Sequence, residues 1–228
     1  MTSVVVNNGK EVNEVKKIIF ISKILTMIFT FFIPLILINC AVKGGFYKAP
    51  QENSPGVILL HGWIRPTDVW DDLAWRLKKQ GISVYALNLP QSKLDEMLKV
   101  VDEGFNYLLE EKVDPNRIAL IGESTGANLA LWYAAKNPRV RTIVLLSPGY
   151  RYRIPISWKE MVSYGERPIL IITSHKDVEY PQSASDSEVL LKYAKGKKEL
   201  KFAPGGHGIG MFDRDVFGWI LSWLRDNL

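Results

Sequence analysis

The stretch Gly122-Glu123-Ser124-Thr125-Gly126 constrains this chain more than any other. Before it runs Arg117-Ile118-Ala119-Leu120-Ile121, an apolar run that reads as a buried strand, and after it Ala127 to Lys136, rich in helix formers. A serine on so sharp a strand-to-helix turn sits in a strained backbone conformation, with neighbouring segments pressed close. Glycines at 122 and 126 remove the β-carbons that would collide there. The hydroxyl then stands clear of the sheet at a helix N-terminus, where developing negative charge is stabilised. A plainer reading makes Ser124 a helix N-cap and the glycines loop residues. The flanking strand and helix favour a serine presented as a nucleophile.

The rest of the chain repeats the strand-then-helix alternation. Val57 to Leu60 is a fully apolar run, suited to a strand buried on both faces, and it ends in His61-Gly62-Trp63. Thr67 or Asp68 can cap a helix through Lys79, which Gly81 stops. Ile82–Leu87 reads as a strand and Lys93–Glu111 as a helix; Thr142–Leu146, Pro168–Thr173 and Glu199–Phe202 read as further strands. Helices are expected over Ser185–Lys195 and Asp213–Asp226. This order implies an α/β fold, a mostly parallel β-sheet with helices on both faces.

At 228 residues and 47% hydrophobic content the chain has room for one such domain and an appendage. The net charge of +5 is spread without the basic stripe that nucleic acid requires, so no nucleic-acid partner is expected. Lys195, Lys197, Lys198 and Lys201 form the densest basic group, and they read as a solvated strand edge. Cys40 is the single cysteine, which excludes an intrachain disulfide and implies no cysteine-based metal site.

The appendage is residues 1–40. Lys16-Lys17 precede a segment from Ile18 to Asn39 whose uninterrupted apolar part runs from Ile24 to Ile38. That length suits a signal-peptide core, and counted from Ile18 it also reaches the roughly 20 residues of a membrane span. The lysines predict a cytoplasmic N-terminus, with the following domain across the membrane. Leu37-Ile38-Asn39-Cys40 resembles a bacterial lipoprotein signal, in which Cys40 would carry the lipid; Asn39 stands where such signals usually have a smaller residue. An uncleaved anchor is the alternative. Either way the domain is expected to be membrane-associated on the extracytoplasmic side. Residues 41–55, with Gly44-Gly45, Pro50 and Asn53-Ser54-Pro55, read as a linker, leaving 56–228 as the folded domain.

From about residue 55 onward, these separated motifs resemble the α/β-hydrolase superfamily, most of all small members of the dienelactone-hydrolase and acyl-thioesterase kind. Only Ser147–Arg167 separates the fourth and fifth strands of this reading, where many relatives insert a lid, so no large cap is expected. The resemblance implies a catalytic triad: Ser124 as nucleophile, His207 in Pro204-Gly205-Gly206-His207-Gly208 as base, and Asp177 after the fifth strand as the acid that orients it. Glu179 is the nearest substitute for Asp177, and His175 reads as a loop residue. It also implies an oxyanion hole from the backbone N–H groups of Thr125 and Trp63, with His61 bracing the loop. Glu123 is expected to meet neighbouring loops, without a chemical step. Arg151 and Arg153 read as residues of a solvated loop that could otherwise meet an anionic substrate.

The implied activity is a serine hydrolase that cleaves a small-molecule carboxylic ester or thioester through an acyl-enzyme, with no cofactor and no metal. Two other readings stay open: a serine peptidase or amidase with the same triad, and a non-catalytic, envelope-anchored binding protein.

Overall fold

A computed structural model describes residues 44–228. The signal or anchor expected over 1–40, and Cys40 with it, lies outside the described residues. Among the described residues no helix is long and apolar enough to cross a membrane.

The chain forms β1 (Gly45–Tyr47), β2 (Gly56–Leu60), α1 (Asp71–Lys79), β3 (Ser83–Leu87), α2 (Leu94–Glu110), β4 (Ile118–Glu123), α3 (Thr125–Lys136), β5 (Val140–Leu146), α4 (Trp158–Tyr164), β6 (Ile169–Thr173), α5 (Ser183–Lys192), β7 (Lys198–Phe202) and α6 (Arg214–Asn227). The described sheet has seven strands in the order β1-β3-β2-β4-β5-β6-β7. β1 is antiparallel to β3, and every other pairing is parallel.

The parallel strands read as continuous apolar runs because both of their faces are covered. On one face Val57, Leu59, Val84, Ala119, Ile121, Val144 and Ile172 pack with Trp70, Leu73 and Leu77 and with Val216, Ile220, Trp223 and Leu224 of α6. The alternate residues Ile58, Leu60, Leu120 and Ile143 are equally buried; period-two alternation turns them to the other face, where α3 packs on β4 and β5. Each buried aliphatic side chain contributes about 1.5–3 kcal/mol.

Three local readings change. The expected linker 41–55 is partly sheet: β1 pairs with β3, and the Ala49 N–H donates to Ser83 Oγ at 3.0 Å. Such a three-residue edge strand among glycines carries no burial pattern to read. The helix expected from Thr67 or Asp68 opens as a 3₁₀ turn, Thr67–Trp70, entered from extended Pro66, and becomes α-helical at Asp71. Within Ser147–Arg167 lies α4, started by a capping box in which the Ser157 side chain accepts from Lys159 N–H while Glu160 accepts from Ser157 N–H. The four lysines lie on and just before β7, the sheet edge, where charge discourages further strand pairing.

The chain leaves β2 toward β3 on one side and reaches β4 on the other. At the C-terminal ends of β2 and β4 the loops therefore part in opposite directions, leaving a crevice where open parallel sheets place their sites.

Candidate active site

Five loops meet at this edge, following β2, β4, β5, β6 and β7. Ser124 stands between β4 and α3 with φ 52° and ψ −121°, a left-handed conformation unusual for a residue with a side chain. Its N–H is fixed by Leu146 O at 2.8 Å. The flanking glycines make the turn possible. A β-carbon on Gly122 would lie 2.2 Å from Gly126 O, and one on Gly126 would lie 2.1 Å from Leu60 O. The Ser124 carbonyl accepts from Ala127 and Asn128, so the serine is also the first acceptor of α3. No side-chain cap bond accompanies it. The hydroxyl is thereby left for other work, unlike that of an ordinary N-cap.

Asp177 and His207, from the loops after β6 and β7, form a buried pair, with His207 Nδ1 at 2.6 Å from Asp177 Oδ2. A carboxylate can only accept, so the imidazole donates from Nδ1, and in its neutral form Nε2 keeps a lone pair. The other carboxylate oxygen, Oδ1, accepts from the N–H groups of Glu179 at 3.1 Å and Tyr180 at 2.9 Å. Glu179, the substitute acid in the sequence, is turned away toward Arg65 at 3.2 Å. His175 is exposed and stacks on Phe202 at 4.2 Å.

Ser124 and His207 meet at Tyr152, which sequence reasoning did not single out. The Tyr152 ring stands edge-on to His207 at 6.1 Å, and its hydroxyl, beside the Ser124 side chain, donates to Ser147 O at 2.9 Å. Burial, reinforced by the Asp177 carboxylate, pushes the Tyr152 phenol well above its ordinary value, so it stays a neutral donor. Asn128 on α3 holds this segment: its amide donates to Gly149 O at 2.7 Å and Ile154 O at 2.6 Å. A lone amide in an otherwise apolar, buried helix was the available signal.

The Gly62-Trp63 loop lies against the serine, since a β-carbon on Gly62 would be 3.3 Å from Ser124 Cβ. Thr125 N–H belongs to the first turn of α3, whose donors lack an intrahelical acceptor. His61 braces the loop, with Nε2 accepting from Leu89 N–H at 2.9 Å and Nδ1 facing Gly62 O at 2.8 Å. Ile64 follows at φ 61°, strained for a β-branched residue. Arg65 anchors it through Glu179 and lies 3.9 Å from Glu123. The Arg153 guanidinium, although solvent-exposed, sits 4.2 Å over the Trp63 ring, so this residue is stacked on the loop.

Glu123 meets the neighbouring loops, as expected from the sequence. Its side chain is fully buried; Oε1 accepts from Gly62 N–H at 3.0 Å and Oε2 from Ile209 N–H at 2.6 Å. One carboxylate thus ties the loop carrying Trp63 to the loop carrying His207. Gly208 makes way for it at φ 53°, where a β-carbon would fall 2.3 Å from Glu123 Oε2. Ser147, also at positive φ, helps from β5 by accepting from Gly208 N–H at 3.0 Å. A charged residue at the inner end of a buried strand was the signal for this role. Among the described residues, no group of three or more His, Cys, Asp or Glu side chains could hold a metal ion.

The family model described as serine aminopeptidase, S33 (Hydrolase_4) matches residues 51–197. The chain belongs to this family and to the α/β-hydrolase superfamily. A curated relative, the thiohydrolase apmlB of Arthrinium phaeospermum, is 26% identical over 181 residues, covering 71% of this chain and 59% of that protein. The chain thus spans less than two thirds of this relative's length. Among solved structures the chain is similar to dienelactone hydrolase from Anabaena variabilis ATCC 29413, at 16% identity and a TM-score of 0.66, covering 82% of this chain and 92% of that one. It is also similar to esterase PE8, at 19% identity and a TM-score of 0.68, covering 82% and 99%. Both structures share its fold.

Proposed function

We propose that this α/β-hydrolase cleaves a carboxylic ester or thioester through Ser124, His207 and Asp177. The observation that carries the reading is the buried Asp177–His207 pair, 2.6 Å apart, at the same edge as a serine held at φ 52°. The Ser124 hydroxyl turns to His207 Nε2 and attacks the carbonyl carbon as Nε2 takes its proton. The carbonyl π pair moves to oxygen, and the oxyanion is met by the N–H groups of Trp63 and Thr125. Collapse breaks the C–O or C–S bond, and the leaving alkoxide or thiolate takes the proton from Nε2. Water repeats the sequence on the acyl-enzyme and releases the acid. Asp177 holds the tautomer and stabilises the imidazolium. The similarity to a thiohydrolase and an esterase supports this substrate class.

The family's description favours a second reading, amide or peptide cleavage by the same residues. Comparing an anilide with the matching ester separates the two. We also propose that the segment before the domain holds it at a membrane, through Cys40 or as a span; Lys16-Lys17 and the apolar run Ile24–Ile38 support this.

The direct test is labelling of the full-length chain by a fluorescent fluorophosphonate, which reacts only with an activated serine. The intact protein is expected to label and His207→Ala to lose the label. A folded parent that stays unlabelled would remove the assignment.

A further inference from the structure

On the hydrolase reading above, we infer that Tyr152 is a positioning residue of this site: its hydroxyl sets the direction of the Ser124 hydroxyl, and its ring sets the tilt of the His207 imidazole.

Proton transfer from Ser124 needs His207 Nε2 aimed at the serine oxygen. Asp177 grips the ring at Nδ1, through one hydrogen bond of 2.6 Å. That bond fixes the tautomer but leaves the ring free to tilt about it. The Tyr152 ring stands against the imidazole with centroids 6.1 Å apart and planes at 86°, the arrangement of a favourable edge-to-face pair. The hydroxyl of the same side chain lies beside the Ser124 side chain. A phenol has a single proton to share, and here it is directed to Ser147 O. Toward Ser124 the phenol therefore turns lone pairs, which draw the serine O–H into one direction. Burial keeps the phenol neutral, so it accepts without taking the proton and His207 remains the base.

A side chain that aims others must itself be held, and Tyr152 is held from three directions. Its ring packs on Tyr180 at 4.6 Å, and Tyr180 is fixed in turn by donating to Asp186 Oδ2 at 2.7 Å. A β-carbon on Gly149 would come 2.5 Å from Tyr180 and 3.0 Å from Tyr152, so the glycine lets the pair close. The segment carrying Tyr152 is fastened to α3, where Asn128 donates to Gly149 O and Ile154 O, and Trp132 Nε1 donates to Pro155 O at 2.8 Å. Four positions apart, residues 128 and 132 share one face of the helix that follows Ser124. Ser147 accepts from Tyr152 at its carbonyl and from Gly208 N–H at its hydroxyl. Tyr152 is thus tied both to the helix of the nucleophile and to the loop of the base.

Tyr152→Phe removes only the hydroxyl, whereas Tyr152→Leu removes the aromatic ring as well. The test is turnover of p-nitrophenyl acetate by the full-length variants, beside the rate and final stoichiometry of fluorophosphonate labelling. kcat and the labelling rate are expected to fall together, by about 10-fold in Tyr152→Phe and about 100-fold in Tyr152→Leu, with KM within about twofold of the parent. Stoichiometry should stay parental, because positioning changes how fast the serine reacts and not how many chains are folded. Parental kcat and labelling rate in Tyr152→Phe would overturn the inference. A rise in KM at constant kcat would overturn it too, making Tyr152 a substrate contact, as would a fall in kcat matched by lost stoichiometry, which leaves only a folding role. Tyr152→Phe preserves the shape of the ring and carries the test alone should Tyr152→Leu not fold. In each of these cases a parent that labels keeps the hydrolase reading; a folded parent that does not label removes both.

Discussion

Replacing Ser124 with alanine is expected to lower kcat on any accepted ester by about five to six orders of magnitude, leaving only what binding and the oxyanion donors supply. The fold should survive. Ser124 makes its fixed contacts through the backbone, N–H to Leu146 O and C=O to Ala127 and Asn128, and none of these needs the hydroxyl. Alanine must still adopt φ 52°, which the serine already adopts at similar strain. The check is steady-state kinetics beside a thermal melt. Undiminished hydrolysis in a variant that melts like the parent would mean that another group attacks the carbonyl.

Glu123→Ala is the second large effect, and its origin differs. The residue touches no substrate in the proposed mechanism; it positions the two loops that do the work. Truncation orphans the N–H groups of Gly62 and Ile209 inside the protein, each at a cost of about 1–3 kcal/mol. Stability should therefore fall by about 2–6 kcal/mol, a large share of what a domain of this size possesses. Activity should fall further than stability explains, by at least about 100-fold in kcat, because the Trp63 donor and the His207 base both lose their common anchor. Glu123→Gln separates the two contributions. It keeps the volume and one acceptor but offers an amide N–H to one of the two donors, so it should melt closer to the parent and still lose kcat. Chemical denaturation paired with ester turnover measures both. A Gln variant with parental kcat would leave Glu123 only a packing role.

The strands were readable because burial on both faces writes itself as an unbroken apolar run, as in Val57–Leu60 and Ile169–Thr173. β1 was not, since three half-exposed residues, the first of them Gly45, have neither a run nor an alternation. α4 was missed although Ser157 and Glu160 spell a capping box, because a seven-residue helix offers too few turns for periodicity to emerge. At the site, the turn around Ser124 is local and its geometry follows from two glycines. The partners of Glu123 lie 61 and 86 positions away, and those of Tyr152 and Asn128 are set by tertiary packing. Sequence shows that such polar residues are out of place in an apolar context, and only the fold shows what they hold.

Those long separations have a consequence for the order in which the chain is made. Ser124, with its turn and helix, leaves the ribosome well before His207, and Glu123 has no Ile209 to hold until the chain has grown by 86 further positions. Contacts so far apart form late, after the loops between them have closed. On the mechanism proposed above, a nascent chain, or one cut short before β7, would display its serine without a base. The proposed activity would then arise only with the segment that follows β7, so that hydrolytic competence and closure of this part of the fold arrive together.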